Sequence, residues 1–284
     1  MKPVFGVDIT TDRRNDWNNS DEFIARKVCP ETELLLENAG KAARGIEKKS
    51  VLPWYALVLK FLMGAAALFG LYGFINIGLD NGFGEFSQKD LPWLILFIAG
   101  GALWLALFIY GRVRDKKVNA SNEAAEANAE QKRALSAARA ELGVSEDAEA
   151  VDVFLLAYKL KNGKLRIDGD PFWLNGEVYA YRKDDALMLW GGEKVWAFPI
   201  ENMKGIKTVR ASITALCWNK KEKHKEGRFA QYKLVPNNYG LRMRFYHILE
   251  LEHGGENYGI YFPCWELPVF EKLTGLNAED AQKE

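Results

Sequence analysis

Cysteine is scarce. Cys29, Cys217 and Cys264 are an odd set, far apart and without a Cys-x-x-Cys spacing. This argues against a disulfide framework and for a reducing compartment. For Cys217 and Cys264, burial as small hydrophobes is the expectation. Histidine is equally sparse. His224, His247 and His253 have no metal-ligand spacing to one another or to a cysteine, so no metal site is expected. Net charge is missing as well: 38 Lys and Arg balance 38 Asp and Glu, which argues against nucleic acid as a partner. The N-terminal MKPVFGVDITTDRRNDW has no apolar core, so no signal peptide is read there. Glycine-rich nucleotide loops, paired carboxylate motifs and Ser-His-Asp signatures are not recognisable. Neither catalysis nor a cofactor is expected.

Two stretches lack charge altogether. Phe61–Leu79 (FLMGAAALFGLYGFINIGL) and Leu91–Tyr110 (LPWLILFIAGGALWLALFIY) each have the length that a hydrocarbon core of roughly 30 Å requires of a helix. Trp54, Tyr55, Trp93 and Tyr110 flank them as interfacial aromatics do. Transmembrane helices are expected at 51–79 and 91–111, joined by a short external loop at 80–90. Lys60 lies near the entry of the first, and its long side chain is expected to snorkel to the interface. Lys41, Arg44, Lys48 and Lys49 precede the pair, and Arg112, Arg114, Lys116 and Lys117 follow it. The loop holds only Lys89 against Asp80, Glu85 and Asp90. By the positive-inside rule both termini lie in the cytoplasm, giving a multi-pass protein of the cytoplasmic (inner) membrane. Ala66, Gly70 and Gly73 on the first span and Ala99, Ala102 and Ala106 on the second predict close packing. That packing serves either the hairpin itself or a homo-oligomer.

Outside the spans an α+β pattern is expected. Residues 1–50 read as a short hairpin, PVFGVDITT and EFIARKV around a polar turn, followed by a helix from Pro30. Residues 112–143 read as a helical stalk, mostly solvated or paired in a coiled coil, with a seam of Ala124, Ala127, Gln131, Ala134 and Ala138. VDVFLLAYKLKNG, from Val151, reads as a short helix. Strand-like runs separated by Asp184-Asp185, Gly191-Gly192 and HGGEN follow. WELPVFEKLTG closes as an amphipathic helix stopped by Gly275, and 277–284 read as a disordered tail. One charged stretch stands out: Lys220, Lys221, Lys223, His224, Lys225 and Arg228, a candidate contact for anionic lipid or a protein partner.

ALMLWGGEKVWAFPIENMKGI and the closing YGIYFPCWELPVFEKLTG carry a resemblance. Over Gly176 to Leu276 the chain resembles the bacterial pleckstrin-homology-like domains that accompany membrane hairpins. The resemblance implies a bent antiparallel sheet or barrel over 151–276 with a helix plugging one end, and binding of proteins or membrane surfaces rather than catalysis. It makes Trp265, Leu267, Phe270 and Leu273 core residues. Phosphoinositide-binding relatives use basic residues in the first hairpin loop. The loop taken for it here, RKDDA, sets Asp184 and Asp185 directly after Arg182 and Lys183, which argues against that ligand. The expected function is a membrane-anchored binding or scaffolding protein. The alternative is a subunit or regulator of a larger transport or secretion assembly.

Overall fold

The computed structural model describes residues 1–8, 18–81, 91–161, 164–167, 172–216, 229, 231–232, 234–236 and 240–279. The chain divides into two compact units, one of residues 34–135 and one built from residues 1–33 with 136–284.

The helical unit holds most of α1 (Pro30–Ser50) and α4 (Asn122–Leu142), and all of α2 (Trp54–Asn81) and α3 (Leu91–Asn119). Proline opens α1, acidic Glu31 and Glu33 sit in its first turn, and Lys48 and Lys49 sit in its last, each complementing the helix dipole. Pro53 cannot donate a backbone hydrogen bond, so the helix stops and α2 begins. Ser121 separates α3 from α4: its hydroxyl accepts from Ala124 N–H at 3.2 Å and donates to Val118 O at 2.6 Å. The expected stalk is therefore the end of one helix and the whole of another. Its seam is covered inside the chain. Ala42, Gly45 and Ile46 of α1 line a cleft with Glu123, Glu126, Ala127 and Glu130 of α4, and Lys49 pairs with Glu123. Ala124, Ala127 and Ala134 are buried, whereas Gln131 is exposed and does not belong to the seam.

α2 and α3 are long and apolar enough to cross a membrane. Their outer faces are not the faces of core helices, because Trp54, Phe61 and Leu68 are 76%, 75% and 70% exposed.

In the sheet unit, β4 (Glu149–Lys161), β6 (Phe172–Lys183), β7 (Ala186–Trp190) and β8 (Lys194–Pro199) pair antiparallel in that order. β9 (Met203–Val209), β13 (Tyr246–His253) and β14 (Glu256–Pro263) form a second antiparallel set. α5 (Leu267–Thr274) follows, ended by Gly275 in the left-handed region at φ 75°. One core joins them: Val151, Val178, Leu187, Leu189, Phe198, Ile206, Leu249, Ile260 and Phe270 are all buried in it. The Phe270 ring stacks on Phe262 at 4.0 Å. The result is a curled half-barrel with a helix against its core. A second cluster holds Phe154, Leu156, Tyr246, Ile248 and Tyr261 together with Ile213 of β10 (Ile213–Leu216), Leu241 and Met243 of β12 (Gly240–Met243), and Trp265.

Three expectations are corrected. The segment from Val151 is not a helix but the 13-residue strand β4. Val151 and Val153 enter the first core, while Phe154 and Leu156 enter the second. A strand buried on both faces shows no alternation, and its apolar run resembles that of a helix. Next, the N-terminal strands do not pair with one another among the described residues. β1 (Lys2–Pro3) joins β14, β2 (Gly6–Asp8) joins β4, and β3 (Ile24–Lys27) joins β8. Each short segment satisfies backbone groups of a longer strand, so 1–33 is part of the sheet unit rather than a separate segment. Finally, the tail is ordered as far as β15 (Ala278–Glu279), parallel to β9, where Ala278 N–H donates to Glu271 Oε1 at 3.0 Å.

Candidate functional site

The basic stretch Lys220, Lys221, Lys223, His224, Lys225 and Arg228 lies outside the described residues, as does Cys217. The chain on either side of that stretch is anchored. β10 precedes it, and Phe229 after it is buried with its ring 5.4 Å from Trp265.

The small residues of α2 and α3 are placed more fully. A Cβ on Gly70 would meet Phe97 N at 2.5 Å and Trp93 O at 2.9 Å, both backbone atoms of α3. A Cβ on Gly73 would enter the Trp93 ring at 2.3 Å, and one on Gly100 would meet Ala67 N at 2.9 Å. These glycines let the two backbones approach within one chain. Ala66 is half-buried on α2. On α3, Ala99, Ala102 and Ala106 are exposed and Gly100 is the buried residue, so the alanines do not pack the hairpin within one chain. Trp93, whose ring fills the space over Gly73, lies on the same side of α3 and rotates the alanines outward.

Lys60 is not extended freely toward water. Its Nζ lies 4.9 Å from the Phe108 ring centroid and 5.8 Å from that of Trp104. The spacing of Trp104 and Phe108, one helical turn apart on α3, was the available signal.

In the sheet unit, the β13–β14 turn borders a shallow cleft of about 300 Å³, lined by Glu201, Lys204, Glu252, His253, Gly254 and Gly255. The turn needs its glycines, at φ 58° and 80°. Lys204 bonds Glu252 at 2.8 Å and Asn257 at 2.6 Å, holding the Glu252 carboxyl below its ordinary range. Nearby, the Tyr258 hydroxyl donates to Glu22 and, at 3.2 Å, to Glu256, and Lys2 pairs with Glu256. Burial and these two carboxylates push the Tyr258 phenol well up. Phe23 packs edge-on to Tyr258 at 5.1 Å and against His253 at 4.9 Å. The carboxylates that face Lys2 and Lys204 serve as structural counter-ions. Sequence spacing could not join Lys2, Glu22 and Glu256.

Among the described residues no group of three His, Cys, Asp or Glu could hold a metal. Cys264 is buried, and desolvation pushes its thiol up to about 12, so it is unreactive. Cys29 is half-buried, and its N–H donates to Glu141 Oε1 at 2.5 Å. His247 is 2% exposed. Its Nδ1 lies 3.2 Å from Thr208 Oγ1, and its Nε2 has no hydrogen-bond partner. Glu266 is fully buried at the start of α5 and accepts from Asp152 N–H of β4 at 3.2 Å.

RKDDA is the β6–β7 turn, with Asp184 in the left-handed region at φ 52° and Asp185 3.5 Å from Arg182. It is the second connection of the four-stranded set, not the first. The first joins β4 to β6 and includes residues outside those described.

Searches of protein-family models, curated proteins and solved structures return no significant match to this chain.

Proposed function

We propose that the chain is a non-enzymatic, membrane-anchored binding protein. α2 and α3 form its transmembrane hairpin, and the sheet unit is a pleckstrin-homology-like module in the cytoplasm. The observation that carries this reading is the arrangement around one core. β4, β6, β7 and β8 pair antiparallel, and β9, β13 and β14 form a second antiparallel set, with β10 and β12 inserted in the chain between β9 and β13. A helix follows whose Phe270 lies in the shared core. The exposed apolar faces of α2 and α3 support insertion, since such surface is unfavourable in water at about 25 cal/mol per Å². The module recruits a protein partner, with the Lys220–Arg228 stretch as its contact to that partner or to anionic lipid.

The test is affinity purification of the full-length protein from native membranes, with mass spectrometry of what accompanies it. A recurrent stoichiometric partner, reduced when Lys220, Lys221, Lys223, Lys225 and Arg228 are all changed to Glu, is expected. Recovery of lipid and the protein alone would remove recruitment from the account. A second reading, a subunit of a larger transport or secretion assembly, is favoured by one observation: the Ala99, Ala102 and Ala106 face of α3 is exposed. Changing those three alanines to Leu would abolish such an assembly and leave recruitment through the sheet unit intact.

A further inference from the structure

We infer that Lys60 and Arg112 together hold the phosphodiester headgroup of an anionic phospholipid against the hairpin. The inference rests on the membrane reading and adds a lipid site separate from the Lys220–Arg228 stretch.

Two cations converge on one aromatic ring. Lys60 Nζ lies 4.9 Å from the Phe108 centroid, and Arg112 Cζ lies 5.4 Å from it. The platform is built deliberately: Trp104 and Phe108 stack at 5.7 Å and 14°, and Gly64 makes room for it, since a Cβ there would meet the Trp104 indole at 3.1 Å. Neighbouring cations are already committed. Lys49 pairs with Glu123, and Arg114 Nε donates to Lys49 O at 2.9 Å. Among the described residues, no carboxylate pairs with Lys60 or Arg112.

Cation–π attraction offsets part of the desolvation of each charge but supplies no counter-ion. Two like charges at one ring repel each other, and an apolar surrounding magnifies that repulsion. One phosphodiester relieves both, accepting from the ammonium and from the planar guanidinium. The site is open to it, because Phe108 and Trp104 are 37% and 39% exposed. Lys60 stands six residues after Trp54, roughly 9 Å along the axis of α2, and directly precedes the uncharged run that opens at Phe61. Leu57 and Leu105, both about half exposed, offer apolar surface for the chains. A zwitterionic lipid brings its own cation to a site that already holds two, so phosphatidylglycerol is preferred over phosphatidylcholine.

The test uses delipidated full-length protein in detergent, titrated with either lipid and read by native mass spectrometry. Phosphatidylglycerol should bind about tenfold more tightly than phosphatidylcholine, a difference of about 1.4 kcal/mol. The double variant Lys60→Gln/Arg112→Gln should bring the two lipids near parity, and Lys60→Arg/Arg112→Lys should keep the preference. Equal binding of both lipids by the native chain overturns the site, even if neither variant folds. So does an undiminished preference in the Gln variant, or complete displacement of the lipid by millimolar inorganic phosphate. Carbonate extraction separates the two claims. Protein released by carbonate defeats the membrane reading, whereas resistant protein without lipid preference defeats this site alone.

Discussion

His247 shows how burial sets the behaviour of a single group. Desolvation lowers its pKa from 6.5 to about 4, so it is neutral in the folded chain near neutral pH. Between those values the unfolded chain binds the proton and the folded chain does not, so stability falls as pH drops from about 6.5 toward 4. The loss is roughly 3 kcal/mol in all and levels off below the folded pKa. His247→Leu should flatten the thermal midpoint against pH in that window, measured by intrinsic fluorescence of the full-length protein in detergent. An unchanged slope would assign the dependence to other groups. The strand run around His247 was legible, but its orientation was not, because Tyr246, His247, Ile248 and Leu249 are all buried and carry no alternation. Glu266 gave no signal either. Its role depends on Asp152 N–H, which is distant in sequence.

Among the elements, the α2–α3 pair depends on Gly70. A leucine there would place atoms against the α3 backbone, and such overpacking costs about 1–3 kcal/mol. Gly70→Leu should therefore lower the thermal midpoint of the protein in detergent, while Ala99→Leu, on the exposed face, should leave it within error. The reverse order would mean that the helices pack through the alanines. Both helices were legible from length and lack of charge. The packing face of α3 was not, since two faces carry small residues, and Trp93 over Gly73 selects between them. β4 was misread for a related reason: periodicity reports one buried face, and β4 has two.

Across the whole molecule, the chain begins and ends in the same unit. Residues 1–33 pack with 136–284, and the four-helix portion is an excursion between them. Periodicity cannot reveal this, because edge pairings such as Gly6 with Leu156 join residues remote in sequence. Val4 and Phe5 are 0% and 1% exposed, so deleting residues 1–8 removes their buried side chains along with those of Pro3 and Asp8, and uncovers backbone of β14 and β4. That deletion should cost on the order of 3–5 kcal/mol, seen as a lower denaturation midpoint in detergent. An unaffected midpoint would detach the N-terminus from the sheet. The central claim is that a membrane hairpin holds this unit in the cytoplasm. It is tested most directly by labelling intact cells with a membrane-impermeant maleimide. Single cysteines would be placed at Ser87 or Ser145 in a chain whose own three cysteines are replaced by alanine. The account predicts labelling at position 87 from outside, and at position 145 only after the membrane is permeabilised. Labelling of position 145 in intact cells, or of position 87 only after permeabilisation, would contradict it.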